Sequence, residues 1–467
     1  MFAKALRDTL VYVDALGWLW WDGRRWERNE HKATACAMDF SERMLKEAES
    51  ANRTAQVAQA KLLMEAAKNA ESVSEWALKD TENALKDAKL FRRHAQHLRS
   101  ARQLNNMTEL SKPYLLLKAD CLDANPFDLN TPAGIVDLMT GKLRPHDRKA
   151  YCSRITNASP GEKGAEMWGN FLDTVTCRDG SVQGFLQMVA GMALIGAVYQ
   201  EGILIAYGGG RNGKSTFFNA LGEVLGDYSG SMDIRTLTTE KANRGASLAT
   251  LRGKRLVITG ELEEHQRLSV SVLKQLSSTD KLNIEEKYKQ PESVRQSHTL
   301  VLFTNHLPRV GSTDNGTWRR LTVVPFQAVI PERDGVQNYA EVLARDAGEA
   351  ILSWAIEGAG NFIRNGCKLD IPDAVEEATD AYRQREDWLN NFLEERCVRD
   401  ERARTPARAL YLEYRSWAAD SGEFIRREND FSAAMEGMGF RKVKISGKPT
   451  YKGVSIDTDT ISVLTSR

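Results

Sequence analysis

The residues with the most specific chemistry are Gly208, Gly209, Gly210, Arg211, Asn212, Gly213, Lys214, Ser215 and Thr216. They match G-x-x-x-x-G-K-[ST], in which glycines let consecutive backbone N–H groups turn inward on phosphate oxygens. In that pattern Lys214 reaches the β- and γ-phosphates, and the Ser215 hydroxyl ligates Mg²⁺. The apolar run Ile203-Leu204-Ile205-Ala206 precedes the loop, and a helical pattern from Phe217 to Leu225 follows it. This strand–loop–helix context separates the match from a chance glycine loop, because a helix N-terminus adds partial positive charge beside the phosphates. The expected chemistry is binding and hydrolysis of a Mg²⁺–nucleoside triphosphate.

Hydrolysis also needs carboxylates for the metal shell and for the attacking water. An apolar strand, Leu256 to Thr259, is followed at once by Glu261, Glu263 and Glu264. Packing does not explain three acids past a strand end, although an acidic loop cap would. The expected roles are Glu261 toward the metal and Glu263 as the water-orienting base, with Glu264 able to exchange roles. A second strand, Leu300 to Thr304, ends in Asn305, whose amide could position water against the γ-phosphate; a plain turn residue is the alternative. Arg319 and Arg320 lie between a turn and the apolar run Leu321–Val324. Either guanidinium could be aimed at a neighbouring subunit's γ-phosphate, or could make a surface ion pair.

These groups need a scaffold. The apolar runs between Gly202 and Phe326 read as buried strands bounded by charged turns. Helical patterns precede them, at Ala165–Val175 and Ser181–Val198, and follow them over 337–383. At the N-terminus, Trp18, Trp20, Trp21 and Trp26 surround Asp22-Gly23, which reads as an aromatic hairpin with its own small core. From Asp39 to Lys112 the chain is rich in Ala, Lys and Glu, as in two or three long helices; its basic stretch Phe91–Arg102 reads as a solvated face, with DNA contact as the alternative. GIVDLMTGKLRPHD reads as a second hairpin turning at Thr140-Gly141.

Bulk properties narrow the class. With 467 residues, 42% hydrophobic and 27% charged, the expectation is a soluble protein of two to four domains. No apolar run approaches a membrane span, and MFAKALRDTL lacks a signal-peptide core. The six cysteines are scattered singly, which argues against a disulfide framework or zinc ribbon and for a reducing cytoplasm. The net charge of +1 does not announce nucleic acid, so any such binding must come from local basic patches.

The order GGGRNGKST, RLVITGELEE, LVLFTNHLPRV, DNGTWRRLTVVPF resembles the superfamily 3 helicase domain of the phage/plasmid and poxvirus-type primase–helicases. WDGRRW and GIVDLMTGKLRPHD are similar to the helical domain that precedes the ATPase in that family. FLEERCVRDERARTPARALYLEYRSWAADSG is similar to its C-terminal winged helix. The resemblance implies an α/β P-loop ATPase core, AAA+-like and of superfamily 3, between a mostly helical N-terminal domain and a winged helix. It makes Gly208–Thr216 Walker A, Glu261 with Glu263 Walker B, Asn305 the sensor, and Arg319 or Arg320 the arginine finger. Lys274, Asp280 and the tip Lys287-Tyr288-Lys289 match a hairpin that in the family lines a hexameric ring and grips single-stranded DNA. A cation–aromatic–cation triplet suits that grip, since lysine pairs with phosphate and tyrosine stacks on a base.

The implied organisation is 1–165 helical with hairpins, 166–335 ATPase, 336–386 lid or connector and 387–467 winged helix. In the last segment Thr405-Pro406 reads as a helix start, Asn429 to Met438 as a second helix stopped by Gly439, and Phe440–Val454 as a strand pair turning at Gly447-Lys448. Lys444 and Lys448 are its candidate phosphate contacts. The implied ligands are ATP, Mg²⁺ and DNA, in a homo-oligomer without a membrane partner, in the cytoplasm of a bacterial host. What precedes NPFDLN is too short and helical for a primase sheet, so no primer synthesis is expected and a separate primase is an expected partner. The rival readings are an origin-melting or remodelling ATPase without processive unwinding, and a DNA-binding module with a degenerate ATPase.

Overall fold

The computed structural model describes residues 1–14, 16–68, 73–238, 250–260, 266–284, 292–310, 314–331, 335–421 and 423–457. The N-terminal part starts with α1 (Phe2–Leu6) and an antiparallel sheet of β1 (Leu10–Val13), β2 (Gly17–Trp21) and β3 (Trp26–Arg28). The β2–β3 turn falls at Asp22-Gly23 as expected, with the Asp22 carboxylate accepting from the N–H groups of Arg24 and Arg25. Trp18 and Trp26 are buried, and Trp26 stacks on Tyr151 at 5.9 Å, so these rings build a small core.

Three helices follow: α2 (Glu30–Lys68), α3 (Glu75–Leu98) and α4 (Ala101–Ser111). At 39 residues, α2 is about 58 Å long. It starts well before Asp39, where the alanine-rich pattern becomes obvious. α2 and α3 form an antiparallel hairpin in which Met44 and Ala48 meet Phe91 and Ala95.

Next comes an antiparallel meander of β4 (Asp128–Thr131), β5 (Gly134–Asp137) and β6 (Lys142–Arg144). Its turn lies at Thr140-Gly141, as expected. Leu129, Val136 and Leu138 belong to the central core. The boundary drawn at 165 therefore cuts through one packed unit. A three-stranded sheet with one apolar face has to bury it, and here it does so on the core.

That core contains α5 (Ala165–Val175), α6 (Gly180–Met192), β7 (Ile203–Tyr207), α7 (Lys214–Leu225), β8 (Ser229–Met232) and β9 (Leu256–Thr259). It continues with α8 (Val270–Leu276), β10 (Lys281–Ile284), β11 (Glu292–Arg295), β12 (Thr299–Thr304), α9 (Asn315–Trp318) and β13 (Leu321–Pro325). A five-stranded parallel sheet runs β13-β7-β12-β9-β8. Both faces are covered: Leu204, Val301 and Val324 pack on one side, Ile205, Leu302 and Val323 on the other. Hence β7, β9, β12 and β13 read as continuous apolar runs. The edge strand β8, Ser-Gly-Ser-Met, has no such run and gives no sequence signal.

α10 (Tyr339–Arg364) and α11 (Asp373–Glu386) follow. Leu343, Ala347, Ile351, Ala355 and Phe362 of α10 are fully buried in the same core as α6 and α7. α11 borders β13, where the Thr379 hydroxyl accepts from the Val323 N–H at 3.0 Å. The 336–386 segment expected as a lid or connector is thus a structural layer of the core, since α10 has an apolar stripe that only the core covers.

The C-terminal unit has its own core of Phe392, Leu410, Tyr414, Phe431 and Tyr451. It comprises α12 (Trp388–Arg396), β14 (Cys397–Val398), β15 (Arg404–Pro406), α13 (Ala407–Asp420), α14 (Glu428–Gly437), β16 (Lys442–Ile445), β17 (Lys448–Lys452) and β18 (Ser455–Ile456). β15, β17 and β16 form an antiparallel sheet. Gly439, at φ +91°, follows α14 as expected. One detail differs: Thr405 and Pro406 lie in β15, and the helix starts at Ala407. The Thr405 hydroxyl donates to the Val454 carbonyl at 2.7 Å instead of capping the helix.

Candidate functional site

The loop from Gly208 to Gly213 joins β7 to α7 at the C-terminal edge of the parallel sheet. Two of its glycines are required by space and by backbone angle. A Cβ on Gly208 would lie 2.4 Å from the Phe326 carbonyl oxygen. Gly213 sits at φ +79°, and a Cβ there would lie 2.3 Å from Val175 Cγ1. Asn212 is buried and donates through Nδ2 to the Phe326 carbonyl at 3.1 Å, which ties the loop to the residue after β13. No side chain among the described residues caps α7, whose first turn carries Ser215 and Thr216, both half-buried. Backbone N–H groups at such a helix start favour an anion. Gly209 and Arg211 are exposed and Gly210 half-buried; Arg211 stands at φ +46°.

Lys214 is 4% exposed, rare for a lysine, and its ammonium is held by hydrogen bonds. Nζ donates to the Gly208 carbonyl at 3.2 Å, to Asn212 Oδ1 at 3.4 Å and to Asn305 Oδ1. Thus two residues 91 positions apart, chosen independently from the sequence, meet at one point. They meet because β12 pairs in parallel with β7, with Thr304 beside Tyr207. β9 reaches the same edge, with Thr259 beside Leu302. Glu261, Glu263 and Glu264, just beyond it, lie outside the described residues. So do Lys287, Tyr288 and Lys289, between the described arms β10 and β11.

The two arginines differ. Arg320 is largely buried and donates to a carboxylate oxygen of Glu201 and to the Gly316 carbonyl. Arg319 is exposed and closes α9 in helical geometry at φ −61°. Arg319 therefore lies outside β13, which starts at Leu321. The turn before it is pinned: Asp314 caps α9 through the Gly316 N–H and pairs with Lys274 Nζ at 2.5 Å. The Lys274 ammonium holds the Asp314 carboxyl well below its ordinary range. Lys274, on α8 ahead of the β10–β11 hairpin, is thereby joined to the arginine turn. Sequence reasoning missed Glu201, 119 positions from Arg320, for which no local signal exists.

In the C-terminal unit, Lys444 and Lys448 are exposed on β16 and β17, and neither has an ion-pair partner among the described residues. Lys442 instead donates to Ser432 Oγ at 2.9 Å. Arg426, a further cation of this unit, is buried over the Trp388 ring at 4.2 Å and is a packing residue.

His298 precedes the strand that delivers Asn305. It is buried, its Nε2 has no hydrogen-bond partner among the described residues, and burial pushes its pKa down to about 4. The unfolded chain, with an ordinary histidine near 6.5, therefore binds more protons between about pH 4 and 6.5. This contribution is fully present above about pH 6.5 and is lost as pH falls toward 4; its size is of order 3 kcal/mol at most. Urea unfolding at pH 7 and pH 5 should show the loss, and His298→Gln should remove up to one proton from the slope. An equal slope in both proteins would refute the assignment.

Residues 1–177 match the family model described as D5 N terminal like, and residues 206–320 match a family of unknown function, DUF5906. The chain is 28% identical over 213 residues to the "Putative helicase L207/L206" of Acanthamoeba polyphaga mimivirus, covering 44% of this chain and 22% of that one. It is 26% identical over 322 residues to the "Putative helicase 022R" of Frog virus 3, covering 64% and 31%. It is 24% identical over 312 residues to the "Putative primase C962R" of African swine fever virus, covering 61% and 32%. The chain thus spans about a third or less of the length of these relatives. The apo C-terminal region of NrS-1 aligns with 64% of this chain and 77% of that one, at 14% identity and a TM-score of 0.38. Among the described residues no helix is long and apolar enough to cross a membrane. Two family models on successive segments, together with viral relatives named putative helicase and primase, place this chain in the D5-like primase–helicase family.

Proposed function

We propose that the chain is an ATP-dependent DNA helicase that works as a ring on single-stranded DNA in replication of a virus or mobile element. The observation that carries this is the meeting of Lys214 and Asn305 at the N-terminus of α7. On this reading Gly208–Gly213 is a P-loop and the fold an AAA+-like ATPase. The donor set fits a Mg²⁺–ATP complex: Ser215 for the metal, Lys214 for the β,γ-phosphates and Asn305 for the attacking water. Glu261 and Glu263 would supply the metal shell and the base. The bound metal would neutralise charge developing on the phosphoryl oxygens.

The sheet geometry also bears on assembly. Arg319 lies just before β13, whose far end, Pro325, is beside Tyr207. Five strand residues put about 16 Å between Arg319 and the loop of its own chain, beyond side-chain reach. An arginine finger at this position would have to serve a neighbour, as in a head-to-tail ring. Arg320 is committed to Glu201, so Arg319 is the better candidate.

Strand displacement on a forked duplex tests the whole reading. Unwinding should require hydrolysable ATP and a single-stranded arm. ATP turnover with melting limited to a few base pairs would favour an origin-melting ATPase. DNA binding without turnover would favour a binding module.

The C-terminal unit is read as a winged helix whose β16–β17 hairpin touches phosphates through Lys444 and Lys448. Changing both to Ala should weaken binding to all sequences alike and lower the salt slope by about 0.9 for each phosphate no longer neutralised. ATP turnover without DNA should be unchanged. Normal DNA affinity in this variant would make the unit a protein-docking module.

A further inference from the structure

The helical hairpin carries charge that the nucleotide site does not use. Between Ala88 and Thr108 the chain contains Lys89, Arg92, Arg93, Arg99 and Arg102, and no Asp or Glu. All five are exposed, and among the described residues none has a carboxylate partner. α3 rests on α2 through Ala88, Phe91 and Ala95. By helical geometry Lys86, Lys89 and Arg93 then lie on the opposite, outward side, with Arg92 and Arg99 on one flank. From Lys86 to Arg99 this ridge runs about 20 Å.

Two ordinary explanations fall short. Cations complement the helix dipole only within the last turn, which leaves Lys86, Lys89, Arg92 and Arg93 unexplained. A merely solvated face mixes signs, as the exposed residues of α2 do with Asp39, Glu42, Lys46, Glu49 and Arg53. From Ala88 onward α3 lacks that mixture, and Asp87 is its last acid.

We propose that this ridge binds the phosphate backbone of duplex DNA, which deepens the helicase reading and rests on it. Single-strand sites combine cations with aromatic platforms for base stacking. Here the one Phe, Tyr or Trp between Lys86 and Arg102, Phe91, faces α2. A convex helix with cations on its crest and flank instead suits a groove bordered by two phosphate strands. The contact would be independent of sequence and would hold the duplex while the single strand is processed elsewhere.

The test uses the full chain without nucleotide and a fluorescently labelled blunt duplex, beside a single strand of the same length. The variant is Lys89→Gln with Arg92→Gln and Arg93→Gln, exposed sites where glutamine keeps helix propensity. Duplex affinity should fall at least about tenfold at low salt, and the salt slope should fall by about 0.9 per phosphate left unneutralised. Single-strand affinity, circular dichroism and ATP turnover without DNA should not change. Reversal of charge by Lys86→Glu with Arg93→Glu should deepen the loss. Unchanged duplex affinity in both variants, while the Lys444/Lys448 variant loses it, would overturn the inference alone. A parallel fall for duplex and single strand would overturn the duplex assignment. If the unaltered chain binds neither DNA, the inference and the helicase reading fall together.

Discussion

Lys214→Ala is expected to lower ATP turnover at least about a hundredfold, the cost typical of removing one preorganised charge-stabilising donor. The ammonium meets the Gly208 carbonyl, Asn212 and Asn305 at the start of α7, so it stands where charge would build on the transferred phosphoryl group. Truncation leaves the oxygens of the buried Asn212 and the half-buried Asn305 with one donor fewer, and it also removes a costly buried cation. These effects oppose each other, so the fold should survive; circular dichroism and thermal unfolding check this. Turnover near that of the unaltered chain, measured by phosphate release with excess Mg²⁺, would show that the loop is no catalytic P-loop.

The second large effect is loss and recovery across subunits. Arg319→Ala should abolish turnover about as fully as Lys214→Ala, although Arg319 lies at the opposite end of β13 from the loop. Mixing the two variants should restore hydrolysis. In a random one-to-one ring, about a quarter of the head-to-tail interfaces would pair an intact Lys214 with an intact Arg319. Turnover should therefore rise well above either variant alone and peak near equal mixing. Absence of recovery in rings shown by labelling to be mixed would rule out a shared site. Arg320→Ala should behave differently: it unpairs Glu201 and loosens the start of β13, a stability defect that mixing cannot repair.

Both experiments depend on residues that were legible because their signals are local. The glycine spacing around Lys214 reflects the backbone requirements of one short loop. The runs that became β7, β9, β12 and β13 are legible because a strand covered on both faces must be apolar throughout. The long helices that became α2 and α3 and the turns at Asp22-Gly23 and Thr140-Gly141 follow from periodicity and turn chemistry of the same range, whereas the C-terminal turn expected at Gly447-Lys448 falls one residue earlier, at Ser446-Gly447, because Ile445 pairs with Lys448. β8 escaped because an edge strand of Ser and Gly gets its order from its neighbour β9.

The sequence alone showed that a loop with the G-x-x-x-x-G-K-[ST] spacing stands between an apolar run and a helical pattern, and that candidate carboxylates and an amide follow later apolar runs. Only the tertiary structure decided which of these meet. Parallel pairing of β12 with β7 brings Asn305 to Lys214. The Glu201 ion pair separates Arg320 from Arg319. Burial of α10 in the core converts an expected lid into a layer, and burial of Arg426 removes it from the basic surface. The physical reason is common to all four. Strand order, ion pairing and burial are settled between residues tens to hundreds of positions apart, by which apolar faces must cover one another, and no local pattern records that choice.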